Sequence, residues 1–297
     1  MEVGPRDGLQ NESALIPLDV KLRFVRSLAD AGLKEIEATS FVSPKWVPQL
    51  GDAAELWPKL PEGPLYSALV PNLKGLERAL DLDVQRIAVF TAASESFTKA
   101  NVNMTIAETI DQFRLVIARF RHPCRPNWAR GYVSTAFECP YEGRINPKKV
   151  LEVCEALIGL GVDEISIGDT IGVASPAEVR VLGREILAAF GNQIIPKITW
   201  HFHDTWGTGL ANLSAALDLG FRSFDSSAGG LGGCPYAPGA GGNLATEDVI
   251  YLLERTGIST GVDLDSLSRA TEEVLACVGR SPAAKSQIAS LGRSSVG

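Results

Sequence analysis

The sequence predicts an α/β fold, a (β/α)8 TIM barrel with a C-terminal helical extension. Short runs rich in β-branched residues alternate with helical runs about eight times in roughly 255 residues, which fits a barrel better than an open doubly wound sheet. No Gly-x-Gly-x-x-Gly follows the first strand, which disfavours a dinucleotide-binding fold. The chain has 297 residues without a repetitive linker. We therefore predict one catalytic domain over 1–297, with 257–297 as the extension.

Eight strands are predicted from short apolar runs and seven helices from longer amphipathic runs. The strands are Glu2–Gly4, Lys34–Thr39, Leu65–Val70, Arg86–Thr91, Gly131–Phe137, Asp163–Ile167, Lys197–Phe202 and Arg222–Asp225. The helices are Leu18–Ala31, Leu73–Leu80, Thr105–Phe120, Pro147–Leu160, Pro176–Phe190, Gly207–Leu219 and Thr246–Arg255, followed by a terminal helix Leu264–Val278. Pro147 and Pro176 occupy first helical positions, and Asn146 and Ser175 before them are good N-caps.

Composition limits the classes of partner. A net charge of −7 argues against a nucleic acid bound through its phosphates, and no run approaches the roughly 20 apolar residues that cross a bilayer. The N-terminus lacks a signal sequence, so we expect a cytoplasmic protein or a mature chain whose targeting segment was removed. Five scattered cysteines without a CxxC pair disfavour a zinc ribbon or a disulfide framework. A homodimer is compatible with the fold.

Polar side chains collect where the predicted strands end, which is where a (β/α)8 barrel carries its chemistry. The candidates from strand ends and the loops that follow them are Arg6, Asp7, Glu37, Asp169, His201, His203 and Asn243. Because residues two apart in a strand share one face, the imidazoles of His201 and His203 project side by side, about 7 Å apart along the strand. Two barrel histidines satisfied by hydrogen bonds are the alternative.

The nearby carboxylates Asp7 and Asp204 favour a metal site over that alternative. Two nitrogen ligands with oxygen ligands from Asp7 and Asn243 suit Mg²⁺ or Mn²⁺ better than a closed zinc site, although zinc or cobalt also accepts such ligands. Arg6 can polarise a substrate carbonyl, or it forms an ion pair with Asp7 at a turn.

Two further carboxylates have two interpretations each. A carboxylate such as Glu37 facing the barrel interior is costly unless it is paired, so it orients a metal ligand or binds Arg6. Asp169 either points into the site or caps a helix.

The segment 229–243 contains seven glycines and two prolines around Cys234. Such a segment cannot form a stable helix or a central strand, because glycine and proline disfavour both. We interpret it as a lid that brings one reactive thiol onto a substrate. An inert, half-buried thiol is the alternative.

Five segments together resemble one family closely. They are Glu2-Val-Gly-Pro-Arg-Asp-Gly-Leu-Gln-Asn-Glu12, Thr39-Ser-Phe-Val-Ser-Pro-Lys-Trp-Val-Pro48, Gly168-Asp-Thr-Ile-Gly172, His201-Phe-His-Asp-Thr205 and Gly229-Gly-Leu-Gly-Gly-Cys-Pro-Tyr236. They resemble the 3-hydroxy-3-methylglutaryl-CoA (HMG-CoA) lyase family, from residue 2 to about residue 256. The His-x-His-Asp segment alone is shared with a wider superfamily of metal-dependent condensing enzymes and aldolases.

The resemblance implies a divalent cation, Mg²⁺ or Mn²⁺, held by Asp7, His201, His203 and Asn243. It also implies that Arg6 steadies an enolate, that Cys234 is the lid thiol, and that Glu37 and Asp169 support the site. The implied reaction splits HMG-CoA into acetyl-CoA and acetoacetate, a step of leucine degradation and ketone body metabolism. The alternatives are a lyase for a longer 3-hydroxy-3-alkylglutaryl-CoA, an acyl-CoA condensing transferase, and a non-catalytic metal-binding barrel.

Overall fold

The computed structural model describes residues 1–122, 125–233 and 242–294, which fold into alternating strands and helices. The strands are β1 (Glu35–Ser40), β2 (Leu65–Leu69), β3 (Arg86–Ala92), β4 (Trp128–Ser134), β5 (Glu138–Cys139), β6 (Gly143–Arg144), β7 (Glu164–Asp169), β8 (Ile198–Phe202) and β9 (Ser223–Asp225). The helices are α1 (Leu18–Asp30), α2 (Ala53–Leu56), α3 (Leu73–Leu80), α4 (Glu95–Val102), α5 (Ile106–Phe120), α6 (Pro147–Leu160), α7 (Pro176–Phe190), α8 (Gly209–Asp218), α9 (Thr246–Arg255), α10 (Leu264–Ala270), α11 (Glu272–Cys277) and α12 (Lys285–Ser294). None of these described helices has the length and apolar character that crossing a bilayer requires.

The described chain divides into two compact units. The first comprises 1–68, 226–233 and 242–294, and the second comprises 69–122 and 125–225. The organisation of 1–297 as a single catalytic domain stays a prediction.

The second unit is built on parallel strands. Strands β3, β4, β7, β8 and β9 pair in chain order, with Arg130 opposite Glu164 and Asp169 opposite Phe202. Helices occupy the connections, and α5 and α7 each begin with a complete capping box. Such N-caps contribute about 1 kcal/mol each to helix stability. Parallel strands joined by helices bring all the C-terminal strand ends of this unit to one edge.

In the first unit, a short N-terminal segment joins β1. Glu2 bridges in parallel to both Ile36 and Ser226, and a π-helical turn then runs over Gly4–Gly8. The core of this unit packs α1 against α10 and α11, with Phe24 and Leu28 among its buried side chains. Each fully buried side chain of this kind contributes roughly 1.5–3 kcal/mol.

Most predicted elements agree with the structure, and the clearest differences are in the first strand, in the strand predicted at Gly131–Phe137, in the terminal helix and in short elements that were not predicted. The predicted strand Glu2–Gly4 is reduced to the bridges at Glu2, because the chain enters the π-helical turn at Gly4. The predicted helix Leu264–Val278 is broken at Thr271, whose hydroxyl accepts a 2.5 Å hydrogen bond from Gln287. Helices α2, α4 and α12 and the two-residue strands β5 and β6 are absent from the prediction.

Strand β8 is locked by aromatic packing on one face. The fully buried indole of Trp200 lies with its centroid 5.7 Å from the Phe202 ring and 5.3 Å from the Phe221 ring, stacked on the first and edge-on to the second. Pairs of this kind contribute about 0.5–1.5 kcal/mol beyond their buried area. The packing fixes the strand that carries His201.

Candidate active site

The first unit contains a polar cluster that is centred on Arg6. Arg6 lies in the π-helical turn and is 6% exposed, and its Nη1 donates to Asp7 Oδ1 at 2.6 Å while its Nε donates to Glu37. Glu37 is fully buried on β1. Of the two predicted roles for Glu37, the structure therefore shows the ion pair with Arg6. The guanidinium is held in one orientation by two carboxylates from different elements.

Asn243 completes this cluster. Its Nδ2 donates to Asp7 Oδ2 at 2.8 Å and to the Leu231 carbonyl at 3.1 Å. A Cβ on Gly232 would lie 2.5 Å from Nδ2, so only glycine leaves room for this amide, and the φ of +114° also requires glycine. Within the described residues, Asn243 Oδ1 is buried without a hydrogen-bond partner. Such an oxygen has the chemistry of a cation ligand.

Two buried glutamates hold the start of the glycine-rich segment. Both oxygens of Glu247 accept from Gly229 N at 2.9 Å, and Glu2 Oε1 accepts from Ala228 N at 3.0 Å. Burial, together with the neighbouring Glu2 charge, raises the pKa of Glu247 to about 8, although the hydrogen bond from Gly229 opposes the rise. Burial also raises the pKa of Glu2. Neither residue was predicted from the sequence to support the segment.

Glu247 predicts a pH dependence of stability. Between about pH 4.5 and pH 8 the folded state keeps a proton on Glu247 that the unfolded chain has released, so stability falls as pH rises through this window. The slope is at most about 1.4 kcal/mol per pH unit from this group. Glu247→Gln keeps an acceptor for Gly229 N but carries no charge. We expect the free energy of unfolding of this variant to fall much less than that of wild type between these pH values.

Denaturant unfolding at pH 5 and pH 8 measures the effect. Glu62→Gln, at an exposed loop position, is the matched control and should keep the wild-type pH dependence. If the free energy of unfolding fell equally between pH 5 and pH 8 in Glu247→Gln and in wild type, Glu247 would be ionised in the folded protein across this range.

The second unit presents the two histidines together. Both are buried at the end of β8, their ring centroids lie 5.3 Å apart, and their Nε2 atoms are 3.3 Å apart. The prediction that they project side by side is confirmed. Asp204, the predicted neighbouring carboxylate, is exposed and accepts from Gly209 N at 2.7 Å at the start of α8.

Asp225 contacts the first histidine and was missed by the sequence analysis. Its Oδ2 lies 3.2 Å from His201 Nδ1, and its Oδ1 accepts from Arg130 Nη2 at 2.9 Å. Burial alone would raise the pKa of Asp225, but the Arg130 charge and the His201 hydrogen bond lower it well below its usual range. Its position at the end of β9 is the signal that could have identified it, by the strand-end rule that selected the others.

Asp169 ends β7 and is buried. Its two oxygens accept from Val173 N and Ala174 N at 3.1 Å each, while Ser175 is the N-cap of α7. Burial raises the pKa of Asp169 to about 6, although the two backbone hydrogen bonds oppose the rise. Asp169 thus shapes the loop before α7 rather than capping the helix.

The predicted lid thiol, Cys234, lies outside the described residues, as does Cys124. Of the described cysteines, Cys139 and Cys154 are buried free thiols and Cys277 is an exposed free thiol on α11.

Comparison with known proteins identifies the family. Residues 1–274 match the HMGL-like family. The chain is 46% identical to the cytoplasmic HMG-CoA lyase of Rattus norvegicus, over 96% of this chain and 82% of the relative. It is 48% identical to the mitochondrial hydroxymethylglutaryl-CoA lyase of Gallus gallus, over 90% and 89%.

The chain belongs to the HMG-CoA lyase family.

Solved structures of HMG-CoA lyases agree with this result. The Pseudomonas aeruginosa enzyme superposes with a TM-score of 0.93 at 44% identity, over 99% of this chain and 97% of that one. The Bacillus subtilis enzyme superposes with a TM-score of 0.92 at 42% identity, over 97% of this chain and 96% of that one. These matches confirm the predicted HMG-CoA lyase family, its α/β barrel fold class and its class of carbon–carbon lyases. The HMG-CoA lyase family depends on a divalent metal.

Proposed function

We propose that this protein cleaves HMG-CoA to acetyl-CoA and acetoacetate in a divalent-cation-dependent, retro-Claisen type reaction. The observation that carries the proposal is its 46% identity to HMG-CoA lyase across 96% of the chain. A relative from Acinetobacter baumannii, 37% identical, was solved with coenzyme A and 3-methylmalate. Those ligands support an acyl-CoA substrate with a branched hydroxy acid portion. The reaction belongs to leucine degradation and ketone body metabolism.

The proposed cation is Mg²⁺ or Mn²⁺, with Asp7, His201, His203 and Asn243 as ligands. Two observations, one in each unit, support this set. Asn243 Oδ1 is a buried oxygen without a hydrogen-bond partner among the described residues, and the two imidazole Nε2 atoms are 3.3 Å apart. A bound dication supplies a Lewis acid that lowers the pKa of the substrate's tertiary hydroxyl and fixes its orientation.

Side chains of the protein carry out the remaining proton transfers and stabilise the enolate. Arg6, oriented by Asp7 and Glu37, donates N–H groups to the enolate oxygen that develops as the carbon–carbon bond breaks. Cys234 then gives its proton to the enolate carbon, because a thiol with a pKa near 8.5 is mostly protonated at neutral pH. Of the two candidate bases, Asp7 and His201, the proposed ligand set favours Asp7 as the acceptor of the substrate hydroxyl's proton, because cation binding at Nε2 and the contact of Nδ1 with Asp225 engage both nitrogens of His201. Glu37 and Asp169 support these groups.

A coupled assay of acetoacetate release tests the function. We expect turnover with HMG-CoA that is lost after chelation and restored by Mg²⁺ or Mn²⁺. A series of 3-alkyl homologues separates this lyase from one for longer chains. Acetoacetate release at the full rate after complete chelation, or release only from longer homologues, would contradict the proposal. Release of CoA from acetyl-CoA and a keto acid would instead indicate a condensing transferase.

We further propose a cytoplasmic location and a homodimeric state. The relatives include lyases named as cytoplasmic and as mitochondrial. Fractionation of the source cells and sedimentation of the purified protein test these two proposals.

A further inference from the structure

A buried charge cluster lies behind the histidines in the second unit. Arg130 on β4 is 0% exposed, donates from Nε to Glu164 Oε1 at 2.6 Å, and donates from Nη2 to Asp225 Oδ1 at 2.9 Å. Its guanidinium carbon lies 5.1 Å from the Tyr132 ring centroid. Burying three charges costs several kcal/mol per ion before pairing offsets it, so such a cluster is weak evidence for a role in stability alone.

The cluster determines how Asp225 meets His201. Arg130 engages Oδ1, and Oδ2 accepts from Ser166 Oγ at 2.8 Å and lies 3.2 Å from His201 Nδ1. An ionised carboxylate accepts hydrogen bonds and donates none. The contact with His201 is therefore a hydrogen bond only if Nδ1 carries the proton. In a neutral imidazole, Nε2 then carries the lone pair.

The lone pair on Nε2 points to the second histidine. His201 Nε2 and His203 Nε2 are 3.3 Å apart, and the Tyr132 ring packs edge-on against the His201 ring with centroids 6.1 Å apart. We infer that Asp225, held by Arg130, is a positioning residue that fixes His201 as the Nδ1–H tautomer and so keeps Nε2 available as a cation ligand. This inference rests on the proposed function for its cation, but the tautomer can be measured without one.

Asp225→Asn is the sharpest variant. Arg130 only donates hydrogen bonds, so it should hold the asparagine oxygen and turn the Nδ2 amide toward His201 Nδ1. That geometry favours the Nε2–H tautomer, which cannot ligate a metal through Nε2. We expect Mn²⁺ affinity to fall about 10- to 100-fold, the usual cost of losing such an outer partner. Turnover should recover substantially at saturating Mn²⁺, because the substituted group does not touch substrate.

Two measurements apply. Calorimetric titration with Mn²⁺ compares wild type, Asp225→Asn and Asp218→Asn, an exposed control of the same chemistry whose affinity should not change. Nitrogen-15 NMR of histidine-labelled, metal-free protein reads the tautomer directly, and the chain has only three histidines, so His122→Gln simplifies the assignment. We expect Nδ1–H at His201 in wild type and Nε2–H in Asp225→Asn.

The possible outcomes separate this inference from the proposed function. An Nε2–H tautomer at His201 in wild type, or Mn²⁺ affinity of Asp225→Asn within twofold of wild type, would overturn the inference. If Asp225→Asn does not fold, the wild-type spectrum still decides. Wild-type protein could instead show the Nδ1–H tautomer but neither bind Mn²⁺ nor release acetoacetate. That result would contradict the proposed function and would still support the role of Asp225 in fixing the tautomer.

Discussion

The Arg6→Gln variant should lose about 10³-fold in turnover, the scale of removing a donor that stabilises a developing oxyanion. It should also lose about 3–5 kcal/mol of stability, because a buried charge loses its partner. Glu37 is fully buried and pairs with Arg6, whose other carboxylate partner, Asp7, lies 2.6 Å away. Acetoacetate release and denaturant unfolding measure the two losses separately.

A double variant separates the two effects. Arg6→Gln with Glu37→Gln removes both buried charges, so stability should largely return while turnover stays low. Arg23→Gln is the control, because the ion pairs of Arg23 with Asp19 and Glu273 are exposed and its loss should leave both quantities unchanged. Recovery of wild-type turnover in the double variant would show that Arg6 takes no part in the reaction.

Cys234→Ser should lower turnover by about 10²- to 10⁴-fold, the range for losing a positioned general acid. A serine hydroxyl is a far weaker acid than a thiol, so the enolate carbon would be protonated slowly. Mn²⁺ affinity should not change, since Cys234 is not a proposed ligand. Steady-state kinetics and Mn²⁺ titration on the same preparation test both statements.

Cys277→Ser is the matched control variant. This described thiol is free and exposed on α11, so its replacement should leave turnover at the wild-type level. Equal turnover in Cys234→Ser and Cys277→Ser would show that the thiol of the glycine-rich segment takes no part in the reaction.

Local signals predicted helix bounds better than strand bounds. Pro147–Leu160 and Pro176–Phe190 agree with the structure residue for residue, because an N-cap and a first-turn proline fix where each helix begins. Strand β4 was predicted at Gly131–Phe137 but runs over Trp128–Ser134. Its ladder with β3 sets that start, and Thr135 at φ 54° follows its end. Pairing partners are not visible in a local pattern.

The same distinction applies to the candidate site. Strand-end polarity identified His201 and His203, whose positions follow from the two-residue period. It did not identify Arg130, which lies within β4 and is buried in ion pairs with Glu164 and Asp225. Glu247 reads in sequence as an ordinary acidic residue in the first turn of α9, and its raised pKa comes from tertiary burial.

Strand β8 also supplies an optical readout of its own. His201 lies between Trp200 and Phe202 along the chain, and the indole of Trp200 is clamped between the Phe202 and Phe221 rings. A rigid, dry indole contributes to the near-ultraviolet circular dichroism that is lost when side-chain packing melts. Heating a ligand-free sample while following that band would thus report the loss of side-chain packing around this strand together with the packing around the other four tryptophans.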